Sequence, residues 1–292
     1  MHSLINKIQS KIKSDILLDY DMRKSTWFRT GGNALGFVTV NSISDLKTII
    51  SFADQLKYYI VGVGSNLLVR DGGFNGLIIK LGKNFNKIKI NKDTLSVGAG
   101  VLDVNLAKFA QKNSIKDFEF FSGIPGTIGG AIKMNAGCYG SQTADNLKRI
   151  LVINKLGKIK YLTKDELELK YRSSNLTDEL IVLKADFNCK YSSASEIIEK
   201  KNYIKLKRES SQPIKEKTSG STFKNPSGEY AAALIEKAGC KGMKNGGASV
   251  STIHSNFIIN NGEATALDIE NLGKKIIKQV QQKFGITLEW EI

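Results

Sequence analysis

Three segments of this chain combine small residues, hydroxyls and amides at spacings that suit the binding of an anion. In Gly62-Val63-Gly64-Ser65-Asn66-Leu67-Leu68, glycines between two β-like runs let successive backbone N–H groups converge on one point, and Ser65 and Asn66 add side-chain donors. A GxGxxG dinucleotide fingerprint is excluded because position 67 is leucine and the residues after it read as extended; a Walker loop would need Gly-Lys-Ser/Thr. Alone, the segment reads equally as a tight hairpin turn. The second segment is SGIPGTIGGA (122–131), followed by MNAGCYG (134–140). It offers backbone donors without bulky side chains, and two such cradles suit a diphosphate joined to a flat ring system better than a single phosphate. Its plainer reading is a glycine-rich loop crossing a buried sheet edge. The third segment, Thr218 to Pro226 (TSGSTFKNP), sets Ser221 between a glycine and an aromatic, with Lys224 and Asn225 just beyond. That suits a polar anionic substrate, or an ordinary turn. No GxSxG is present and no His or Asp sits at the spacing of a nucleophile elbow, so Ser221 is poorly placed for acyl transfer.

Isolated residues have blander readings. Arg172, in Tyr171-Arg172-Ser173-Ser174, reads as part of a surface turn, His254 as a hydrogen-bonded structural histidine, and Glu289 and Glu291 as solvated strand residues.

The 292 residues carry 43 Lys+Arg against 28 Asp+Glu, a net charge of +15. Only six of the basic residues are arginine, and scattered lysine lacks the bidentate forks that read bases and clamp phosphates, so nucleic acid is not the expected partner. A steering role for anionic small molecules is compatible with the charge. Three widely spaced cysteines and two histidines, with no CxxC pair, argue against a disulfide framework and a metal site. No apolar run approaches the length of a membrane span and the first residues do not resemble a signal peptide, so a cytoplasmic protein with no membrane insertion is expected.

The elements that must position these segments follow from periodicity. Leu4, Ile5, Ile8 and Ile12 predict a helix, and further helices are expected from Ser42 or Ser44, over 102–113, 194–208, 229–238 and 265–284. Thr265 and Asp268 form a capping box for the last, and Gly285 ends it. Strands are expected at 37–40, 58–63, 67–69, 76–81, 87–91, 94–98, 180–187, 255–260 and 286–291, with a hairpin of 150–154 and 158–162. Seventeen of the 27 glycines fall in residues 1–140, so the first half is expected to wrap its backbone closely around something. The fold class is α+β, a glycine-rich front followed by a small αβ tail, with Ser210 to Pro213 as a plausible boundary.

In this order the segments resemble one family, the UDP-N-acetylenolpyruvoylglucosamine reductases, flavoenzymes that make UDP-N-acetylmuramate for peptidoglycan. The likeness rests on Thr30-Gly31-Gly32, GVGSNLLV (62–69), SGIPGTIGGA with MNAGCYG, YRSSN (171–175), SGSTFKNP (219–226), the Ala232 to Gly242 region, SxxHSNFIIN (251–260) and LEWEI (288–292). It spans nearly the whole chain, and the lack of an extra substrate loop in the second half resembles the shorter of the family's two forms. An FAD oxidase of another small hydroxylated substrate is the alternative on the same fold; STFKNP, HSNF and LEWEI argue against it.

The resemblance implies an FAD-binding region of the vanillyl-alcohol-oxidase type over 1–209, in two subdomains split near 65–75, and a substrate-binding domain over 210–292. It implies that FAD is held by Gly62, Val63, Gly64, Ser65, Asn66, Leu67 and Leu68 and by Ile124, Pro125, Gly126, Thr127, Gly129, Gly130, Ala131, Asn135, Ala136 and Gly137, with Arg208 nearby. NADPH would give a hydride to the flavin, which would pass it to the methylene carbon of the enolpyruvyl ether. Arg172 would stabilise the enolate that results, with Glu291 sharing the role in protonated form, and Ser221 would deliver the proton. Lys217, Lys224, Asn225 and His254 are candidates for holding the nucleotide sugar. Glu291 is preferred to Glu289 because the family's glutamate directly precedes an aliphatic residue, here Ile292; the family usually runs a few residues further, and a natural or frayed end at Ile292 would leave Glu291 badly held. The partners implied are NADPH and the UDP-sugar, with a monomer favoured.

Overall fold

The computed structural model describes residues 1–292. Its chain divides into two compact units that alternate along the sequence: Met1–Tyr20, Leu35–Gly62 and Asn75–Leu206 form one, and Asp21–Ala34, Val63–Phe74 and Lys207–Ile292 form the other. A single break at 209/210 is the simplest division of the sequence. The two short excursions arise from contacts between segments far apart in the chain, which leave no local pattern to read.

In the first unit, the apolar face expected at the start forms α1 (His2–Gln9), burying Ile5 and Ile8; Ile12 lies beyond its end but remains buried. Next come β1 (Ile16–Asp21), β2 (Asn33–Val40), α2 (Ile43–Ile50), β3 (Tyr58–Val61) and β4 (Phe74–Leu81). Ser42 starts α2 by accepting from the Asp45 N–H at 3.0 Å. These strands make a sheet of order β1-β2-β4-β3, in which β3 lies parallel to β4 from Tyr58↔Leu77 to Val61↔Lys80. The chain continues through β5 (Ile88–Asn91), β6 (Thr94–Gly98), α3 (Asp103–Lys112), α4 (Ile128–Lys133), β7 (Gly137–Cys138), β8 (Ser141–Gln142), β9 (Leu147–Asn154), β10 (Ile159–Thr163), β11 (Leu180–Asn188) and α5 (Ala194–Ser211).

A second sheet runs β10-β9-β11-β6-β5, with antiparallel neighbours throughout. The expected hairpin is its β9–β10 pair, with Ile159 opposite Ile153. Near-continuous apolar sequence in β11 fits its central place, since both of its faces are covered. One core joins both sheets and the helices, including Val38, Leu77, Ile79, Leu106, Ile150 and Phe187. On α3 the buried face is Leu106, Ala107 and Ala110, and Leu102 is the N-cap residue outside the helix.

The second unit holds α6 (Ala231–Lys237), β12 (Lys244–Asn245), β13 (Ala248–Val250), β14 (Ile258–Asn260) and α7 (Ala266–Phe284). The α7 capping box is present in both directions, and Gly285 ends the helix at φ +71. Its stripe of Ile269, Leu272, Ile276 and Val280 packs with Phe28, Phe223, Leu234, Val250 and Ile258 in a separate core. Asp71, in the Val63–Phe74 excursion, caps the same helix from outside: its two carboxylate oxygens accept from Ala266 N–H at 2.8 Å and Leu267 N–H at 2.9 Å.

Several elements differ from expectation. Residues 67–69 form no strand, because this stretch joins no ladder; Arg70 instead accepts from Gly32 and Gly73 through its carbonyl. Residues 286–291 contribute only an isolated bridge, Trp290 with Phe223. The strand expected at 255–260 shrinks to β14. Within the second glycine cradle, Ile128–Lys133 is a short helix that glycine content concealed. No helix is long and apolar enough to cross a membrane.

Candidate active site

The first cradle begins where β3 runs out. A Cβ at Gly62 would lie 2.6 Å from Thr127 Oγ1, so the backbone there passes too close to its neighbour for any side chain. Gly64 has φ +67, and a Cβ would drive into the Ser25 backbone. Within the second unit, the backbone N–H groups of Val63, Gly64, Ser65 and Asn66 donate to no protein acceptor, although the Gly64 carbonyl accepts from Trp27 N–H at 2.9 Å. Four successive unpaired donors in one turn are the makings of an anion nest. Leu67 is tied by Ser219 Oγ, which donates to its carbonyl at 3.4 Å, and Leu68 packs on the core. The Asn66 side chain is differently employed: its Nδ2 donates to the Glu291 carbonyl at 3.0 Å.

The second cradle lies wholly in the first unit. Asp103 N–H donates to Gly126 O at 3.1 Å and Ile128 N–H to Val101 O at 2.9 Å, so the entry to α3 fixes residues 126–128. Gly129 N–H is taken by Ala99 O, whereas the N–H groups of Gly126, Thr127 and Gly130 have no protein acceptor. Ile124 and Pro125 are half-buried ahead of them and Ala131 is buried behind. The Asp103 carboxyl, fully buried with neither oxygen hydrogen-bonded, stands against Gly126. Burial pushes its pKa well above the usual carboxylate range, so this group is driven toward its neutral form instead of opposing an anion.

Asn135 is buried at φ +41 and its amide is saturated by the protein: Nδ2 donates to Gln142 Oε1 and Lys170 O, and Oδ1 accepts from Ala144 N–H. It shapes the segment through Ala136 and Gly137, with both of its amide donors engaged by the protein. Arg172 is half-buried at φ +50, with Nη2 donating to Gly137 O at 2.7 Å and its guanidinium 5.0 Å from the Tyr171 ring centre. A non-glycine residue held in the left-handed region is strained, and such strain gathers at functional sites.

In the third segment Gly220, at φ +81, turns the chain into Ser221. Ser221 bridges Phe257, and Thr222 N–H donates to Asn256 O at 2.7 Å. Asn256 then holds both sides of the Phe223 peptide, accepting from its N–H at 3.0 Å and donating to its carbonyl at 2.8 Å. On the other side Phe223 bridges Trp290, the two rings 5.0 Å apart, and Glu291 N–H donates to Thr222 O at 2.9 Å. Ser221 and Glu291 are therefore brought to neighbouring positions by one short pairing.

Glu289 points away: its side chain is 75% exposed and pairs with Lys224 at 3.4 Å. Asn225 Oδ1 accepts from Ala231 N–H at the start of α6, and Lys217 is exposed with its carbonyl bound to Asn260 N–H. His254 packs edge-on against Phe257, accepts from Asn256 N–H at 3.3 Å, and has its pKa lowered by burial, as expected of a structural imidazole. Arg208, on α5, donates to Gln212 at 3.2 Å. Asn256 and Asp71 are the residues sequence reasoning missed. Both act on the backbone of segments distant in the chain, and nothing around them signals that.

Each cradle, within its own unit, offers unpaired backbone donors free of bulky side chains, which fit an anionic group such as a phosphate. Residues 34–163 match the model described as FAD binding domain, and residues 212–292 the one described as UDP-N-acetylenolpyruvoylglucosamine reductase, C-terminal domain. The class is thereby defined: a flavin-dependent oxidoreductase of α+β fold, with an FAD-binding domain and a reductase C-terminal domain. Over 282 residues, 96% of each chain, it is 46% identical to the UDP-N-acetylenolpyruvoylglucosamine reductase of Rickettsia conorii and 47% identical to that of Rickettsia typhi. The crystal structure of UDP-N-acetylenolpyruvylglucosamine reductase from Thermus caldophilus matches with a TM-score of 0.83 at 33% identity, covering 95% of this chain and 98% of that one. The chain belongs to the UDP-N-acetylenolpyruvoylglucosamine reductase family, whose UDP-sugar substrate and place in peptidoglycan synthesis it shares.

Proposed function

We propose that the enzyme reduces the enolpyruvyl ether of its UDP-sugar to the lactyl ether of UDP-N-acetylmuramate, with NADPH as hydride donor, as a cytoplasmic monomer. Bound FAD supplies the two-electron relay between NADPH and the ether. Residues 62–68 and 124–137 would hold it mainly by backbone, through the unpaired N–H groups of Val63 to Asn66 and of Gly126, Thr127 and Gly130. The segment after residue 210 takes the nucleotide sugar, with Lys217, Lys224 and Asn225 as its polar contacts.

Addition of hydride to the methylene carbon leaves charge spread from the adjacent carbon into the carboxylate. Arg172 meets that charge with a guanidinium, pre-oriented by its bond to Gly137 O. Glu291, protonated, donates a second hydrogen bond; a bare carboxylate would repel the enolate. Ser221 gives its hydroxyl proton to the adjacent carbon. A hydroxyl is a poor acid, and it serves only because the carbanion is far more basic than the alkoxide left behind. The observation that carries this reading is the pairing that sets Glu291 N–H on Thr222 O, next to Ser221. Exchanging Ser221 for alanine tests it: flavin reduction by NADPH should proceed at the wild-type rate, and reoxidation by substrate should slow by about 10²–10⁴-fold, the range of general acid catalysis. Equal slowing of both half-reactions removes Ser221 as the proton donor.

A further inference from the structure

The asparagine of the first cradle is spent on another part of the same unit. Its side-chain amide donates to the carbonyl of Glu291 at 3.0 Å. Glu291 belongs to no strand ladder; the stretch after Gly285 is anchored by the Phe223–Trp290 bridge and by apolar contacts of Ile286, Leu288, Trp290 and Ile292. The Glu291 backbone itself is held on its N–H side by Thr222 O at 2.9 Å and on its carbonyl side by Asn66. The first bond reports to the Ser221 segment and the second to the cradle. Meanwhile the N–H groups of Val63 to Asn66 await an acceptor outside the protein. Whatever anion settles there fixes the Asn66 backbone, and the side chain carries that order to Glu291.

We propose that Asn66 is a positioning residue that couples the 63–66 loop to the placement of Glu291. The proposal rests on the reading of Glu291 as a stabiliser of the reaction's developing charge. The loop that receives the cofactor thereby also sets a group that works on the substrate. Loop and glutamate constrain each other reciprocally, as linkage requires. Sequence reasoning assigned the Asn66 amide to the anion; the tertiary contact gives it to the protein and leaves the backbone N–H for the ligand.

The test uses the flavin-loaded enzyme as Asn66→Ala, as Asn66→Leu, which keeps the bulk but lacks the donor, as Glu291→Ala, which removes the carboxyl group, and as the Asn66→Ala/Glu291→Ala pair. Losing one net hydrogen bond predicts an effect of about fivefold. Hydrogen exchange in the peptide covering 286–292 should quicken by about that factor in both Asn66 variants. Reoxidation of the flavin by saturating substrate should slow about fivefold more than reduction by NADPH does. In the Glu291→Ala background the Asn66→Ala change should slow reoxidation no further. Unchanged exchange in the 286–292 peptide overturns the proposal, as does equal slowing of both half-reactions or a full additional fivefold loss in the double variant. Wild-type reoxidation in Glu291→Ala alone removes the reading of Glu291, and the proposal with it. That outcome is distinct from a silent Asn66→Ala beside a slow Glu291→Ala, which removes only the coupling.

Discussion

Replacing Asp103 by asparagine should make the protein more stable at neutral pH, and more so as pH rises from acid. Asp103 is fully buried, neither carboxyl oxygen has a partner, and burial holds its pKa well above the ordinary range. The folded state therefore keeps a proton that the unfolded chain releases near the ordinary carboxylate value of 3.8. For a raised pKa the contribution to stability is fully present below the unfolded value and is lost as pH climbs toward the folded one. One proton sets the limiting slope, about 1.4 kcal/mol lost per pH unit in that window, with a plateau above it. Asparagine has nearly the same shape and no such proton, so the difference between variant and wild type isolates the Asp103 contribution from carboxylates with the opposite trend, such as Asp45 and Asp268, whose pKa values are lowered. Urea titrations of both proteins at half-unit steps from pH 4 to 8, monitored by circular dichroism, measure it. A stability difference that stays flat with pH, or that favours wild type increasingly as pH rises, refutes the reasoning.

Two further changes probe the second unit. A Cβ at Gly273 would lie 2.7 Å from Trp290 Cζ2, so Gly273→Ala must displace the indole that pairs with Phe223. Alanine gains about 1 kcal/mol of helix propensity, while overpacking costs about 1–3 kcal/mol, so stability should change little or fall. Tryptophan emission should shift and flavin reoxidation by substrate should slow; an unaltered emission maximum with an unaltered rate counts against the contact. Asp71→Ala removes both external acceptors at the start of α7 and should cost about 1 kcal/mol, reduced from the buried case because Asp71 is exposed. Scanning calorimetry reads this as a lower melting temperature, and an unchanged transition would show that the α7 capping box suffices alone.

Much of the architecture was legible because it depends on local pattern. The α7 stripe, its capping box and its closing glycine are properties of one continuous stretch, as is the β9–β10 hairpin around Gly157. What failed to read locally were elements made by partners elsewhere. Leu67 to Val69 look extended yet meet no strand, and α4 hides in a run whose glycines disfavour helix until Thr127 O and Gly130 O find donors in Ala131 and Met134. The site divides the same way. Both glycine cradles could be named from composition, since close backbone approach demands glycine wherever it occurs. The employment of each polar side chain within them could not.

By itself the sequence determined the family and the place of the two glycine-rich segments, because these depend on residue types in a fixed order. Tertiary structure turned the Glu289 side chain out to Lys224 and bound the Glu291 backbone to Thr222. It also gave the Asn66 amide to Glu291, saturated Asn135 with protein partners, and drew Asp71 onto α7. Each is a hydrogen bond between segments separated by up to 225 residues. Such a bond depends on where two backbones meet in space, and no spacing along one of them records it.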